Sequence, residues 1–174
     1  MKFKFLSAVA LAAVVITGLG IAFGSIAVSQ TNPVAEQCGG LSVAQLGDAL
    51  TPYGKNTMTN NGHTDYSITV PSGKWKINVL LSISPDGSVI WMTNNLSQVP
   101  DAGKVSSEAL LNLLKKNWDI GPMFFEIRGG HLVMTQPVPN HDLNAASMKT
   151  IVDNFVSTVV ANAALWDPAT LAGK

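Results

Sequence analysis

The chain has 174 residues, 47% of them hydrophobic, with eleven basic side chains against eleven acidic ones. That is long and apolar enough for one packed domain of ordinary size, and it excludes a chain too polar to hold a core. One arginine, Arg128, with no basic run excludes the electrostatic footprint of a nucleic-acid binder, and one cysteine, Cys38, excludes an internal disulfide and a metal site built on paired cysteines.

The N-terminus opens on Met1-Lys2-Phe3-Lys4, and from Phe5 to Val28 no charge follows. A basic start, an apolar run and small residues around Ser25-Ile26-Ala27 fit a secretory signal peptide cleaved after Ala27, with Ala27-Val28-Ser29 as a second register. The competing reading is an uncleaved anchor over residues 5–28, because about 20 apolar residues span a bilayer. Gly18, Gly20 and Gly24 weaken that helix and favour cleavage. Either way positive charge stays inside, so the rest of the chain is expected to be exported, periplasmic or extracellular, touching a membrane only through this segment if it is retained. The remainder then carries nine bases against eleven acids. The expected organisation is a signal or anchor over 1–29, a polar linker over 30–40 and one domain over 41–170. Cys38 reads as an incidental thiol in that linker, since Glu36 and Gln37 stand where a lipidation signal would be small and apolar.

Ser42 as N-cap, then Val43, Leu46 and Leu50 at helical spacing, predicts a short helix stopped by Pro52 and Gly54. Lys55 to Gly62, rich in Asn and Thr and without apolar periodicity, reads as a loop. From Asp65 the period becomes two: Tyr66, Ile68 and Val70 share a face as far as Pro71-Ser72-Gly73. Trp75, Ile77, Val79, Leu81 and Ile83 then alternate with a mostly polar set, and Pro85-Asp86-Gly87-Ser88 turns the chain into a third strand over Val89 to Thr93. Ser106 or Ser107 caps a second helix carrying Leu110, Leu111, Leu113, Leu114 and Trp118, with Lys115 and Lys116 in its last turn and Gly121-Pro122 ending it. Its apolar stripe is expected to bury one full face. Met123 to Arg128 and His131 to Gln136 form two more strands across Gly129-Gly130, which suits the positive φ angles of a tight hairpin. A long helix starting at Asp142 carries Met148, Ile151, Val152, Phe155, Val159 and Trp166, with Pro168 as its stop. The pattern predicts an α+β two-layer sandwich, order α-β-β-β-α-β-β-α, with a five-stranded antiparallel sheet and helices on one face.

The run Leu110-Leu111-Asn112-Leu113-Leu114-Lys115-Lys116-Asn117, the Gly121-Pro122 break into Phe124-Phe125-Glu126, the hairpin ending at Pro139, and Leu143 leading to Leu165-Trp166-Asp167-Pro168 together resemble the bacterial YbjN family. The resemblance spans the domain and implies the fold of type III secretion chaperones. It also implies a non-enzymatic role in binding segments of other proteins, often as a homodimer. Family domains of this kind are usually cytoplasmic and acidic, whereas this one stands behind an export signal and is nearly neutral.

Against catalysis, no Gly-x-Ser-x-Gly element and no phosphate-cradling loop are present. Of the three histidines, His63 lies in or beside a polar loop with Asp65, His131 opens a strand and His141 precedes a helix cap, so a zinc site would need tertiary convergence that spacing does not show, and no cofactor is expected. Of the four tryptophans, Trp75, Trp118 and Trp166 sit on apolar stripes and are expected in the core. Trp91 differs, because Ile90 and Met92 flank it and both faces of its strand are apolar. With Leu80 and Val89 it predicts an apolar patch on the sheet face away from the helices, unless the first helix folds over it. The expectation is a protein-binding domain whose partner is another envelope or secreted protein, held by this patch or by strand addition at a sheet edge. The alternative is a small apolar ligand held between the sheet and the long helix, with Met92, Met123, Met134 and Met148 as lining.

Overall fold

The structure is a computed structural model and describes residues 39–60, 62–99 and 106–167. The apolar N-terminal segment, most of the linker, Cys38 and Pro168 lie outside the described residues. No helix among the described residues is long and apolar enough to cross a membrane.

Ser42 caps α1 (Val43–Ala49) as expected: its hydroxyl accepts the Gln45 N–H while the Gln45 side chain accepts the Ser42 N–H. A single 3-10 turn, Thr51–Tyr53, takes Pro52 into its first positions, and Gly54 leaves it with a φ of 69°. The sheet then follows as β1 (Asn56–Asn60), β2 (His63–Ser72), β3 (Trp75–Ile83) and β4 (Val89–Gln98). After α2 (Ser107–Asp119) come β5 (Phe124–Arg128) and β6 (His131–Pro139), and the chain ends in α3 (Ala145–Ala161) and α4 (Ala163–Trp166). The strands stand in the order β1-β2-β3-β4-β6-β5, and every neighbouring pair is antiparallel.

The sheet thus has six strands where the sequence pattern predicts five. The extra one is β1, in the segment read as a loop. As an edge strand it is exposed along Asn56 to Thr59, so no buried face imposes a period of two on its side chains. Strand β4 also runs to Gln98 and not to Thr93, its second half pairing with His131 to Met134 across a bulge between Asn95 and Ser97. Between β5 and β6 the turn is the expected Gly129-Gly130, with φ angles of 57° and 78° that only glycine takes without strain.

The helices of the described residues lie on one face of the sheet. Tyr66, Ile68, Ile77, Val79, Leu81, Ile90 and Met92 point to that side and meet Leu46 of α1 and Leu50 at its C-cap, Leu113 of α2, and Met148, Val152, Phe155 and Val159 of α3 in one core. Burial of each such side chain contributes about 1.5–3 kcal/mol. Helix α1 joins this layer, with the Tyr66 hydroxyl donating to the Val43 carbonyl at 3.0 Å. Helix α3 begins at Ala145, three residues later than predicted, capped by Asn144, because Asp142 takes a φ of 55° outside any helix. It stops at Asn162, so Trp166 belongs to the short α4, where its indole N–H donates to the Val159 carbonyl at 2.8 Å and its ring meets Trp75 edge-on at 4.6 Å.

Candidate functional site

The helix layer leaves the other face of the sheet open, and the strand register decides what stands there. Leu80 pairs with Thr93 and Trp91 with Ser82, while the neighbouring pairs Leu81–Met92 and Ile83–Ile90 point to the core. Leu80, Val89 and Trp91 therefore share the face away from the helices. On the other side of β4, Trp91 stands opposite Pro137 and Val89 opposite Pro139. Leu80 is 37% exposed and Trp91 38%, and Val89 is half-buried beside them. Helix α1 does not cover this patch, because Leu46 and Leu50 sit in the core on the opposite side.

A second apolar surface lies on α2 and runs against the expectation that Trp118 is core. Trp118 is 91% exposed, and Leu111 and Leu114, seven and four residues before it, are exposed as well. At about 100° per residue these three form a single stripe. Ala109 and Leu113 form the buried stripe beside it. The apolar arc of α2 is wider than its contact with the sheet, so one side of the arc faces inward on β5 and the other outward. Lys115 borders the outer stripe, while Lys116, nearer the buried side, stands in a 3.5 Å pair with Asp119. Ile127, on the strand that α2 packs against, is also exposed. Two lengths of leucine-rich helix look alike in sequence whether their second stripe meets a sheet or water, which is why the stripe was not legible there.

The two sheet edges differ. At β5 the side chain of Asn117 accepts the Phe125 N–H at 2.7 Å and donates to the Phe125 carbonyl at 3.1 Å, so the backbone groups a docking strand would need are already taken there. At β1 nothing comparable is present among the described residues.

The three histidines do not converge among the described residues. His63 Nε2 lies 3.0 Å from Asp65 Oδ1, His141 Nδ1 lies 3.3 Å from Asp142 Oδ2, and His131 Nδ1 faces the Gly129 carbonyl at 3.1 Å. These are separate local pairs, and no group of three His, Cys, Asp or Glu side chains is placed to hold a metal ion among the described residues. The Tyr53 phenol donates to Asp153 Oδ1 at 2.7 Å. Burial and the Asp153 carboxylate push its pKa up, while Lys149 first and Tyr53 second hold Asp153 below the usual carboxylate range. The cluster pins the 3-10 turn to α3, and its Asp153 also lines a groove between β2 and α3.

The methionines expected to line a ligand pocket are core instead: Met92, Met134 and Met148 are fully buried and Met123 nearly so. A groove of about 260 Å³ lies between the end of β2 and α3, lined by Val70, Pro71, Ser72, Asp153, Val156 and Val160 among others, with none of those methionines.

No protein-family model matches the chain, and no curated protein matches it. The likeness to the YbjN family therefore rests on the sequence motifs alone. Among solved structures, the fold is similar to a chain of the ExsC–ExsE complex, with a TM-score of 0.54 at 10% identity, over 72% of this chain and 93% of that one. A chain of the heterodimeric ExoU–SpcU complex from the type III secretion system of Pseudomonas aeruginosa aligns with a TM-score of 0.49 at 14% identity, over 70% and 97%. A chain of the HopA1–SchA chaperone–effector complex does so with a TM-score of 0.49 at 12% identity, over 68% and 89%.

Proposed function

We propose that this chain is an exported, non-enzymatic protein-binding domain of chaperone-like character, which holds a segment of another envelope or secreted protein. The observation that carries the reading is the outward stripe Leu111, Leu114 and Trp118 on α2. A tryptophan left 91% exposed beside two exposed leucines costs solubility and contributes nothing to the core, as expected of an anchor for a partner. The patch of Leu80, Val89 and Trp91 on the open sheet face supplies a second apolar surface. The partnered complexes among the structural neighbours support the reading by analogy of fold. Export rests on the basic start and the charge-free run from Phe5 to Val28. The small-ligand alternative loses its lining, since the four methionines are packed against other side chains.

The test places a photo-crosslinking amino acid at Trp118, at Trp91 and, as a control, at exposed Lys149, in the full chain expressed in its own cells. Adducts with one or a few exported proteins from position 118 or 91, absent from 149, support the reading. Adducts identical at all three positions, or none at 118 and 91, overturn it. An adduct of the chain with itself at 118 would make the α2 stripe a seam between copies and remove it from partner binding.

A further inference from the structure

Sheets end in strands that offer unpaired N–H and C=O groups, and proteins guard such edges with charge, proline, bulges or covering elements. In this sheet β5 is guarded by Asn117, and among the described residues nothing guards β1 in that way. Strand β1 reads Asn56-Thr57-Met58-Thr59-Asn60, with no charged residue and no proline, and its register against β2 runs without a bulge from Asn56–Ser67 to Asn60–His63. Among the described residues no helix packs closely on it, and Met58 is 42% exposed at its centre.

The same five residues form a palindrome about Met58. An antiparallel pair related by a two-fold axis places each residue opposite its mirror position in the other copy, so a palindromic strand meets itself as well as any partner could. Centred on Met58, the pairing sets Thr57 opposite Thr59 of the second copy, Asn56 opposite Asn60, and Met58 opposite Met58.

The hydrogen-bonding parity of the strand agrees with that centre. A two-residue connection joins Asn60 to its partner His63, and in such hairpins the pair flanking the loop is hydrogen-bonded and the pairs alternate from there. Counted back, Met58 bonds inward to Asp65, whereas Thr57 and Thr59 turn their N–H and C=O to the open edge. In the two-fold pairing those are the groups that meet. Thr57 faces Thr59 of the second copy in a hydrogen-bonded pair and Thr59 faces Thr57, while the two Met58 side chains pack at the close non-hydrogen-bonded position between them. Cross-strand threonine pairs add to such a contact, and no like charges oppose it.

We propose that β1 is an interface between two copies of this chain, joining their sheets edge to edge about a two-fold axis through Met58. The proposal does not rest on the α2 stripe or on the open sheet face, and both stay free in the joined pair. Two edges of this length cover less than the roughly 1,200 Å² of a standard interface, so the association is weak and depends on concentration.

The test is disulfide trapping in the full chain, in a Cys38→Ser background that removes the native thiol. Met58→Cys puts two thiols across a non-hydrogen-bonded pair, where Cα atoms stand about 4.5 Å apart, within the reach of a disulfide. Ser157→Cys, exposed on α3, is the control. Under mild oxidant the Met58→Cys chain is expected to give a covalent dimer in several-fold higher yield than the control. Equal yields, no dimer, or an adduct with a different protein overturns the proposal. A second arm measures sedimentation of the unmodified full chain in mild detergent against Met58→Lys, which opposes two cations, and Thr57→Pro, which removes a donor facing away from β2. A concentration-dependent dimer lost in both variants, with circular dichroism unchanged, supports the interface. A dimer that persists in both, or an unmodified chain that stays monomeric throughout, overturns it.

Discussion

Asn117 stands in for a seventh strand at Phe125, one amide giving and taking a hydrogen bond as a neighbouring peptide unit would. The contact also fixes where α2 sits. Asn117 is on the inward side of the helix and Trp118 is the next residue, so holding Asn117 against β5 turns Trp118 out to water. A single amide thereby closes one edge of the sheet and presents the apolar stripe beside it.

Replacing Asn117 with Ala should cost about 1–2 kcal/mol, the ordinary worth of a bonded pair of backbone groups returned to solvent. Urea unfolding followed by circular dichroism measures it. The reopened edge should also raise light scattering on prolonged incubation near the unfolding midpoint. An unchanged midpoint would show that water satisfies Phe125 equally well.

Two tryptophans should separate cleanly by stability. Trp118→Ser is expected to shift unfolding by less than about 0.5 kcal/mol, as surface changes do. Trp166→Ala, which removes a buried ring, its bond to the Val159 carbonyl and its contact with Trp75, should cost about 3–5 kcal/mol. A loss of that size at Trp118 would mean that something covers α2 in the isolated chain.

Asn140 is a second point where one amide holds the fold. It accepts the Leu41 N–H at 2.8 Å and donates to the carbonyls of Leu41 at 3.0 Å and Gly87 at 2.8 Å, from a buried position at the end of β6. The linker thus enters the domain under its side chain, and a Cβ on Gly40 would lie only 2.0 Å from the Asn140 carbonyl oxygen. Asn140→Ala leaves buried groups without partners at about 1–3 kcal/mol each, so a loss of several kcal/mol is expected. Asn140→Asp keeps only the acceptor and should be no better. Differential scanning calorimetry of both variants decides it, and a shift within error would remove the latch.

How much of this was legible in the sequence follows from what each residue faces. Strands β2 and β3 announced themselves because Tyr66, Ile68, Ile77, Val79 and Leu81 are buried on one side only, which is what period two records. Strand β1 was silent because both its faces are wet, although Asn61-Gly62, a hairpin dipeptide two residues long, was there to be read. The second half of β4, Asn94 to Gln98, was lost for a related reason: Asn94 is buried but polar, its amide donating to the Asn78 carbonyl at 2.6 Å. The patch of Leu80, Val89 and Trp91 was legible as a break in alternation. The α2 stripe was not, because nothing local to Leu111, Leu114 and Trp118 says that the helix meets the sheet along only one side of its apolar arc.

The turn between β3 and β4 gives the fold a small acid sensitivity with a definite sign. Asp86 accepts the Ser84 hydroxyl at 2.6 Å, the Ser88 hydroxyl at 2.8 Å and the Ser88 N–H at 3.2 Å. These bonds, the Ser84 hydroxyl foremost, draw its pKa down from 3.8 to about 2. A carboxylate depressed on folding contributes stability that is present above its unfolded value near 3.8 and is lost as pH falls through about 2. Asp86→Asn should therefore unfold earlier than the unmodified chain at pH 6, with the gap narrowing below pH 4 and closing near pH 2. Because the shift comes from hydrogen bonds and not from a distant charge, high salt should leave the gap at pH 6 largely intact. Urea midpoints at those pH values, with and without salt, measure both effects. A gap that stays constant down to pH 2 would mean that the protonated Asp86 holds the turn as well as the carboxylate does, and no gap at pH 6 would mean that Ser84 and Ser88 hold it alone.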